Sequence, residues 1–420
     1  MTTGISDIGV YIPEAEIDIK DIIENRKDLE PKLAGKIRGA ARLTGQAAIR
    51  FPQKWEDPVT FAAETVKKLY RRNPEKIDAL RYLGVGTETG LDCSKPLAAY
   101  LQGLLGKAGI LRHHSFSTFQ SQHACASGTL VLLDIASKMT VSGGRGESGL
   151  CVSTDIAHYD RNSTAEITQG AGAVSLLVEN NPALLELDIT NVGYSSEDVD
   201  DFFRPLDSKN ARVKGQYSMK CYQDSLISAF DDYAMRSGQE AGQIINSTDY
   251  FVCHAPFSAM PRMALRYLLE EKLSLDYKAA DSFTISHAVD ASSAGITRIG
   301  NLYSASMYFC LASLLYNEAQ RLNEKIIGKS ILFASYGSGN TMIVFKGKIA
   351  SGALDVIRRW NPDSFNAVKK AGLAEYEGWM QQPYLEKAGE TIADESAIPS
   401  GRFFLKRRRE DGYYEYEYKS

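Results

Sequence analysis

Apolar residues recur along this chain with two periods, and the two alternate. Runs of strand length occupy residues 4–12, 82–87, 115–119, 149–154, 171–178, 250–253, 330–335 and 341–346. The first is closed by Pro13. The last two are joined through Gly337-Ser338-Gly339-Asn340, which reads as a hairpin. Between them lie segments with apolar residues at helical spacing: parts of 17–42, then 94–105, 130–139, 221–236 and 301–315. Glu56-Asp57-Pro58 opens another helix, because Pro fits the first turn and acids favour a helix N-terminus. That helix is expected to point Val59, Phe61, Ala62, Val66 and Leu69 inward and Lys67, Lys68, Arg71 and Arg72 outward. Residues 180–217 form a long polar stretch with an acidic-aromatic run, Glu197 to Pro205, and no periodic element is read there. Strands alternating with helices over most of the length predict an α/β fold. The order strand, chemically active residue, helix recurs in the second half.

Beyond about residue 351 the character changes. The tail ends in Phe403-Phe404-Leu405, four basic residues from Lys406 to Arg409, and an alternating Tyr/Glu run from Tyr413 to Tyr418. The basic run could meet a polyanion. The alternation that follows it favours one solvated side of a terminal hairpin.

Composition narrows the function classes. The 420 residues carry 48 Lys and Arg against 52 Asp and Glu, a net charge of −4, so no nucleic-acid partner is indicated. The six cysteines (93, 125, 151, 221, 253 and 310) are scattered, which argues for a reducing compartment and against a structural zinc site. No basic region followed by an apolar run opens the chain, and no stretch of about 18 apolar residues is uninterrupted. A cytoplasmic protein is expected.

The candidate chemistry centres on Gln120-Ser121-Gln122-His123-Ala124-Cys125-Ala126-Ser127-Gly128. Cys125 stands between small residues where a strand gives way to a buried helix. Helix N-H groups and the positive end of the helix favour a thiolate, so a lowered thiol pKa is expected. The alternative is a buried structural Cys. Four other places stand out. Glu88 lies between glycines in Gly86-Thr87-Glu88-Thr89-Gly90, at a strand end where α/β folds bind ligands, or it is a solvated loop residue. His254 follows a buried strand, as a ligand group or a satisfied core His. Asn301 precedes an apolar helix, as a binding amide or an ordinary cap. Ser335-Tyr336-Gly337-Ser338-Gly339 is an oxyanion-binding turn or a plain hairpin. Together they are the parts for carbon–carbon bond formation through a thioester: a thiol to take an acyl group, a carboxylate to remove a proton beside the carbonyl, and donors to hold the oxyanion.

In this combination the chain resembles the 3-hydroxy-3-methylglutaryl-CoA (HMG-CoA) synthase family of the thiolase superfamily, from about residue 4 to 345 and more loosely in the tail. The segments that carry the resemblance include Gly86 to Asp92, His123-Ala124-Cys125, Ser153 to Ala157, Thr168 to Val174, Asp201 to Pro205, His254-Ala255-Pro256-Phe257, Gly300 to Tyr303 and Ser335 to Gly339. The resemblance implies a layered αβαβα sandwich of two similar halves, residues 1–180 and 181–350, with an extension over 351–420. It implies a homodimer acting on CoA thioesters, with no metal or cofactor. Cys125 would be acetylated by acetyl-CoA. Glu88 would deprotonate the acetyl methyl. His254 and Asn301 would hold and polarise the ketone of acetoacetyl-CoA, and water would release HMG-CoA. Asp155 and Asp201 would support the site, Thr168, Ser218 and Ser338 would lie near the acyl chain, and Gly337 would belong to the oxyanion turn. Two departures stand out: Ala126-Ser127-Gly128 replaces Tyr-Gly-Gly, and Ala259 and Met263 replace lysines expected at the CoA phosphates, leaving Arg262 beside them.

Three alternatives remain open. A relative with the same chemistry adds branches to polyketides on an acyl carrier protein. A ketoacyl synthase of the same superfamily lacks the Glu, so Glu88 discriminates against it. A non-catalytic acyl-CoA-binding homologue would not need Cys125, Glu88 and His254 together.

Overall fold

The apolar runs become the strands of one nine-stranded sheet in the computed structural model, which describes residues 2–361, 367–382, 385, 387–392 and 394–420. The sheet strands are β1 (Thr3–Tyr11), β2 (Leu80–Gly86), β3 (Ser117–Ser121), β4 (Ser148–Ala157), β5 (Gly170–Asn180), β6 (Leu185–Ser196), β7 (Tyr250–Cys253), β8 (Ser330–Gly337) and β9 (Thr341–Ile349). Their order across the sheet is β7-β8-β9-β6-β1-β5-β4-β2-β3. β2 runs parallel to β3 and β4, and β7 parallel to β8. The other pairs are antiparallel. β1–β5 therefore form one half and β6–β9 the other, joined where β1 meets β6 through Thr3↔Leu187 and Ile5↔Leu185.

The main helices are α1 (Ile19–Leu29), α2 (Pro31–Thr44), α3 (Pro58–Arg72), α4 (Leu97–Lys107), α5 (Ser127–Ser142), α6 (Gly215–Ser237), α7 (Met260–Leu273), α8 (Ser306–Leu322) and α9 (Leu373–Gln381). Their cores define five layers. Val131, Ile135 and Met139 of α5 share one core with Phe309, Leu311 and Leu314 of α8, and with sheet residues of both halves, Ile8, Leu176, Phe333 and Phe345. α3 and α4 cover the outer face of the first half against Leu83, Val85 and Leu150. α6 and α7 cover the second against Phe251, Leu332 and Val344. This is the helix–sheet–helix–sheet–helix order expected, with one difference: the two half-sheets are continuous. Covered on both faces, β4 is buried at every position, which is why its sequence reads as a run and not as an alternation.

Three expectations need correction. The polar stretch 180–217 contains β6, a 12-residue strand that pairs with both β1 and β9. Its Asp188, Thr190 and Asn191 satisfy one another in a local turn, Asp188 Oδ1 accepting from Thr190 and Asn191 N–H, so the polar residues mark an irregularity within a strand and not a loop. The helix read over 301–315 begins only at Ser306 and runs to Leu322. Lys67 does not face water: it is buried, pairs with Glu64 at 2.6 Å, and lies under the Phe403 ring of the terminal hairpin at 5.1 Å. Arg72 is likewise engaged, by Asp7 at 2.8 Å. The hairpin itself, β10 (Arg402–Arg408) and β11 (Tyr414–Lys419), forms as expected. Its basic run is met by Glu415, Asp411 and Glu417. Within the 351–420 extension, residues 362–366, 383–384, 386 and 393 lie outside the described residues.

Residues Ala124–Ser142 reach a mean hydropathy of 1.3, long and apolar enough to cross a membrane, yet the segment is 61% buried inside the protein. Its apolarity serves the central layer, where sheets press on both sides. The contact is tight enough to exclude side chains: a Cβ at Gly86 would lie 2.4 Å from Gly128 N on α5. Gly86→Ala is expected to destabilise by about 1–3 kcal/mol through overpacking. Gly103→Ala on α4, where a Cβ meets nothing within 4 Å, should instead stabilise by about 0.4–1 kcal/mol. Urea unfolding midpoints shifted equally by both would contradict this packing.

Candidate active site

The chain leaves β3 at Ser121 and turns into α5 within a few residues, with Cys125 in the turn. Ala124 holds φ 43°, a left-handed conformation that costs a non-glycine residue of order 1 kcal/mol or more and recurs at functional sites. The hairpin turn of β8 and β9 presses on the same loop: a Cβ at Gly337 would lie 2.4 Å from His123 O and 2.9 Å from Ala126 N. Only glycine lets the two approach. Cys125 Sγ donates toward Glu88 Oε1 at 3.5 Å.

Glu88 sits just past the end of β2, and Asp155 on β4 shapes its loop. Asp155 Oδ1 accepts from Thr87 Oγ1 (2.8 Å), Glu88 N (2.9 Å), Thr89 N (3.1 Å) and Thr89 Oγ1 (2.8 Å). Its Oδ2 accepts from Ser304 N at 3.0 Å and from the Ser304 hydroxyl. One carboxylate thus ties the Glu88 loop of the first half to the Asn301–Ser304 loop of the second.

The electrostatics correct one expectation. Burial, then the Glu88 and Asp155 charges, push the Cys125 thiol well above its usual value, whereas the helix entry had predicted a lowered one. A helix N-terminus is worth typically 0.3–1 kcal/mol, less than burial beside two carboxylates. Burial, with Asp155 adding to it, raises Glu88 to about 8, against the opposing charge of Arg204. At neutral pH the thiol therefore stays protonated and the Glu88 carboxyl largely so, and the two do not form a standing ion pair.

Cys125, His254, Asn301, Thr168, Ser218 and Ser338 all line one cavity of about 550 Å³. His254 is held by its backbone, N–H to Ala334 O at 2.8 Å and carbonyl accepting from Tyr222 OH at 3.0 Å. Its Nδ1 is buried without a hydrogen-bond partner, and burial lowers its pKa to about 3. It is a neutral imidazole with hydrogen-bonding capacity to spare. Asn301 is not a helix cap. Its Oδ1 accepts from Tyr303 N (2.8 Å) and Ser306 Oγ (3.1 Å), which turns the amide nitrogen to the cavity side, near the Tyr159 hydroxyl. Ser218 Oγ donates to Asp201 Oδ2 at 2.8 Å, as does Tyr336 OH at 2.9 Å, so Asp201 braces the cavity from behind. Arg262 is not among the lining residues. It pairs with Asp290, and with Asp281 at 3.8 Å, so its charge is already answered within the protein. No group of His, Cys, Asp and Glu able to hold a metal occurs among the described residues.

Sequence reasoning missed the aromatic wall. Tyr159, Phe202 and Tyr303 meet edge to face, with centroids 5.7–6.4 Å apart, and all three line the cavity. Tyr159 lies two residues beyond the Ser153–Ala157 segment and Phe202 and Tyr303 lie inside motifs already noted, so adjacency to those motifs was the available signal.

Comparison with known proteins agrees with this geometry. Residues 1–183 match the family described as Hydroxymethylglutaryl-coenzyme A synthase N terminal, and residues 277–361 its C-terminal counterpart. The chain is 31% identical to Hydroxymethylglutaryl-CoA synthase of Enterococcus faecalis over 396 residues, 94% of this chain and 96% of that protein. It belongs to the HMG-CoA synthase family. The synthase of Haloferax volcanii is 29% identical over 405 residues, 86% of this chain and 87% of that protein. A solved structure of MvaS in complex with 3-hydroxy-3-methylglutaryl coenzyme A superposes with a TM-score of 0.86 at 30% identity, covering 100% of this chain and 99% of that one. The curacin-pathway HMG synthase shares the fold, with a TM-score of 0.85 at 22% identity over 100% of both chains. The HMG-CoA synthase fold is the thiolase fold, as the layer order indicates.

As the candidate base, Glu88 with its raised pKa predicts a pH profile. A base must be deprotonated to act, and kcat/KM reports the free enzyme's groups. Activity should rise with pH through about 8 and fall below it, with no second limb from His254 between pH 5 and 9. A flat profile from pH 6 to 9 would contradict the Glu88 environment.

Proposed function

We propose that the chain condenses acetyl-CoA with acetoacetyl-CoA and water to give HMG-CoA and CoA, through an acetyl-Cys125 intermediate. The observation that carries this is a cavity lined by the Cys125 thiol and a neutral, unsatisfied His254, with Glu88, its pKa raised to about 8, directly behind that thiol at 3.5 Å. The Cys125 sulfur attacks the acetyl-CoA carbonyl and CoA leaves with the thiol proton. Glu88, ionised, removes a proton from the acetyl methyl group. A pKa near working pH suits a base for this step. The carbanion adds to the ketone of acetoacetyl-CoA, whose oxygen takes hydrogen bonds from His254 and the Asn301 amide and then a proton. Water finally cleaves the Cys125 thioester, which leaves a carboxylate on the product and a free thiol. Thr168, Ser218 and Ser338 contact the acyl chain. On this reading residues 1–180 bring the base and nucleophile, 181–350 the ketone-binding groups, and the described residues of the 351–420 extension pack on the core. The free state of all six cysteines fits a reducing cytoplasm. Edge strand β3, with no strand beyond it among the described residues, leaves room for the homodimer the family resemblance implies.

A carrier-protein acyl donor is the second reading, because the curacin-pathway HMG synthase, solved in complex with holo donor-ACP, shares the fold with a TM-score of 0.84 over 100% of both chains. Comparing acetyl-CoA with an acetylated carrier protein as donor separates the two.

Incubation with labelled acetyl-CoA should place the acetyl group on Cys125, and addition of acetoacetyl-CoA should yield HMG-CoA by mass spectrometry. Label on another Cys defeats the mechanism. Glu88→Ala should still acetylate Cys125 but lose condensation by roughly 10²–10⁴-fold, the usual worth of a general base. His254→Ala should chiefly raise KM for acetoacetyl-CoA, and a variant impaired only in acetylation would contradict its role.

A further inference from the structure

The cavity wall formed by Tyr159, Ser163, Thr164, Ala165 and Thr168 is held from behind by α9, in the C-terminal extension. Gln169 is fully buried. Its Oε1 accepts from Tyr159 N at 2.7 Å, and its Nε2 donates to Tyr376 OH at 3.0 Å. Tyr376, itself fully buried, donates to Glu166 Oε1 at 3.0 Å. Glu166 Oε2 accepts from Asn162 N at 2.7 Å, and the same carboxylate takes the buried guanidinium of Arg26. The next residue, Glu377, bridges Arg26 at 2.6 Å and Arg161 at 2.5 Å. Trp379, one helical turn on, stacks on Phe51 at 5.4 Å and meets the His158 ring edge-on at 5.1 Å.

The same wall segment sets Asn301. Thr168 O accepts the Asn301 N–H at 3.0 Å, and Gly300 packs so closely that a Cβ there would lie 1.7 Å from Gln169 O. Residues 168–170 are therefore clamped between α9 on one side and the Asn301 loop on the other. Glu88 is fixed separately by Asp155 and the Cys125 loop by Gly337; they meet this chain of contacts only at its far end, where Asp155 bonds Ser304 and Cys125 packs against Tyr159 and Tyr303.

We propose that Tyr376 is a positioning residue for the ketone substrate: through Gln169 and Glu166 it places Tyr159 and Asn301, and so governs acetoacetyl-CoA binding without touching acetyl transfer. The hydroxyl is the working atom, because it is the one polar group of α9 that bonds to both Gln169 and Glu166. The inference rests on the condensation proposed above.

Tyr376→Phe keeps the ring and removes both hydrogen bonds. Acetylation of Cys125 should stay within about twofold of wild type, while KM for acetoacetyl-CoA should rise roughly 5- to 50-fold, the range expected when one or two buried hydrogen bonds are lost. Glu377→Gln loosens the same helix at a less buried position and should give the same split at smaller size, which keeps the test alive if Tyr376→Phe folds poorly. Tyr416→Phe is the control. It removes a comparable buried bond, Tyr416 OH to Asp57 Oδ2 at 2.5 Å, in the same extension, at a helix cap that lines no part of the cavity. It should lower Tm and leave both half-reactions as in wild type. If Tyr376→Phe and Glu377→Gln lower Tm with both half-reactions unchanged, or slow both equally, the role is structural and the proposal falls. If wild type acetylates Cys125 but makes no HMG-CoA, it is the condensation reading that fails.

Discussion

Asp155 is the constraint on which the site depends. A fully buried carboxylate is costly unless its oxygens are satisfied, and this one is satisfied by two loops from opposite halves of the chain. The requirement runs both ways. Without the Thr87–Thr89 loop and Ser304 the charge would be stranded, and without the charge neither loop has a reason to stay. Burial raises both Glu88 and Cys125, and the Asp155 charge adds to that. One group thus sets position and contributes to protonation, which suits chemistry that needs a base able to gain and lose a proton near neutral pH.

The central layer makes that arrangement possible. α5 and α8 lie between two sheet halves, and each begins beside a loop that carries a site residue. Close approach demands small residues, at Gly86 against α5 and at Gly337 against the Cys125 loop. The left-handed backbone of Ala124 and Tyr303 falls in the same two loops. Strain of this kind persists only where surrounding contacts over-determine the conformation, and the packed layer and Asp155 supply them. His254 Nδ1, buried and without a partner, is a further cost borne by the free protein, and a ligand group that bonds it recovers that cost on binding.

The extension beyond residue 351 is integrated through buried charge. Arg26, a fully buried side chain, joins α1 to Glu166 behind the cavity wall and Glu377 on α9. The terminal hairpin covers α3, burying Lys67 and placing Tyr416 on the Asp57 cap. Removing one member of such a cluster would leave the others uncompensated, so the tail is bound to the catalytic layers electrostatically as well as by packing.

Local chemistry and periodicity were enough to read the α/β alternation, the helix opened by Asp57 and Pro58, the terminal hairpin, and Cys125, Glu88 and His254 as residues at strand ends and helix starts. These features are written in neighbouring residues, so they need no knowledge of what lies across the core. Other features depend on partners far away in sequence. β6 was hidden because its polar residues are satisfied locally and its pairing partners, β1 and β9, are remote. Lys67 looked solvent-facing because the hairpin that buries it lies more than 330 residues further on. Arg262 looked free for an anion because Asp281 and Asp290 come from a later segment. The Cys125 thiol was misjudged for the same reason. The helix entry is visible locally, but the burial and the carboxylates of Glu88 and Asp155 that outweigh it exist only once the sheet has brought β2, β4 and the Cys125 turn together, because electrostatic energy is set by distance in space and not along the chain.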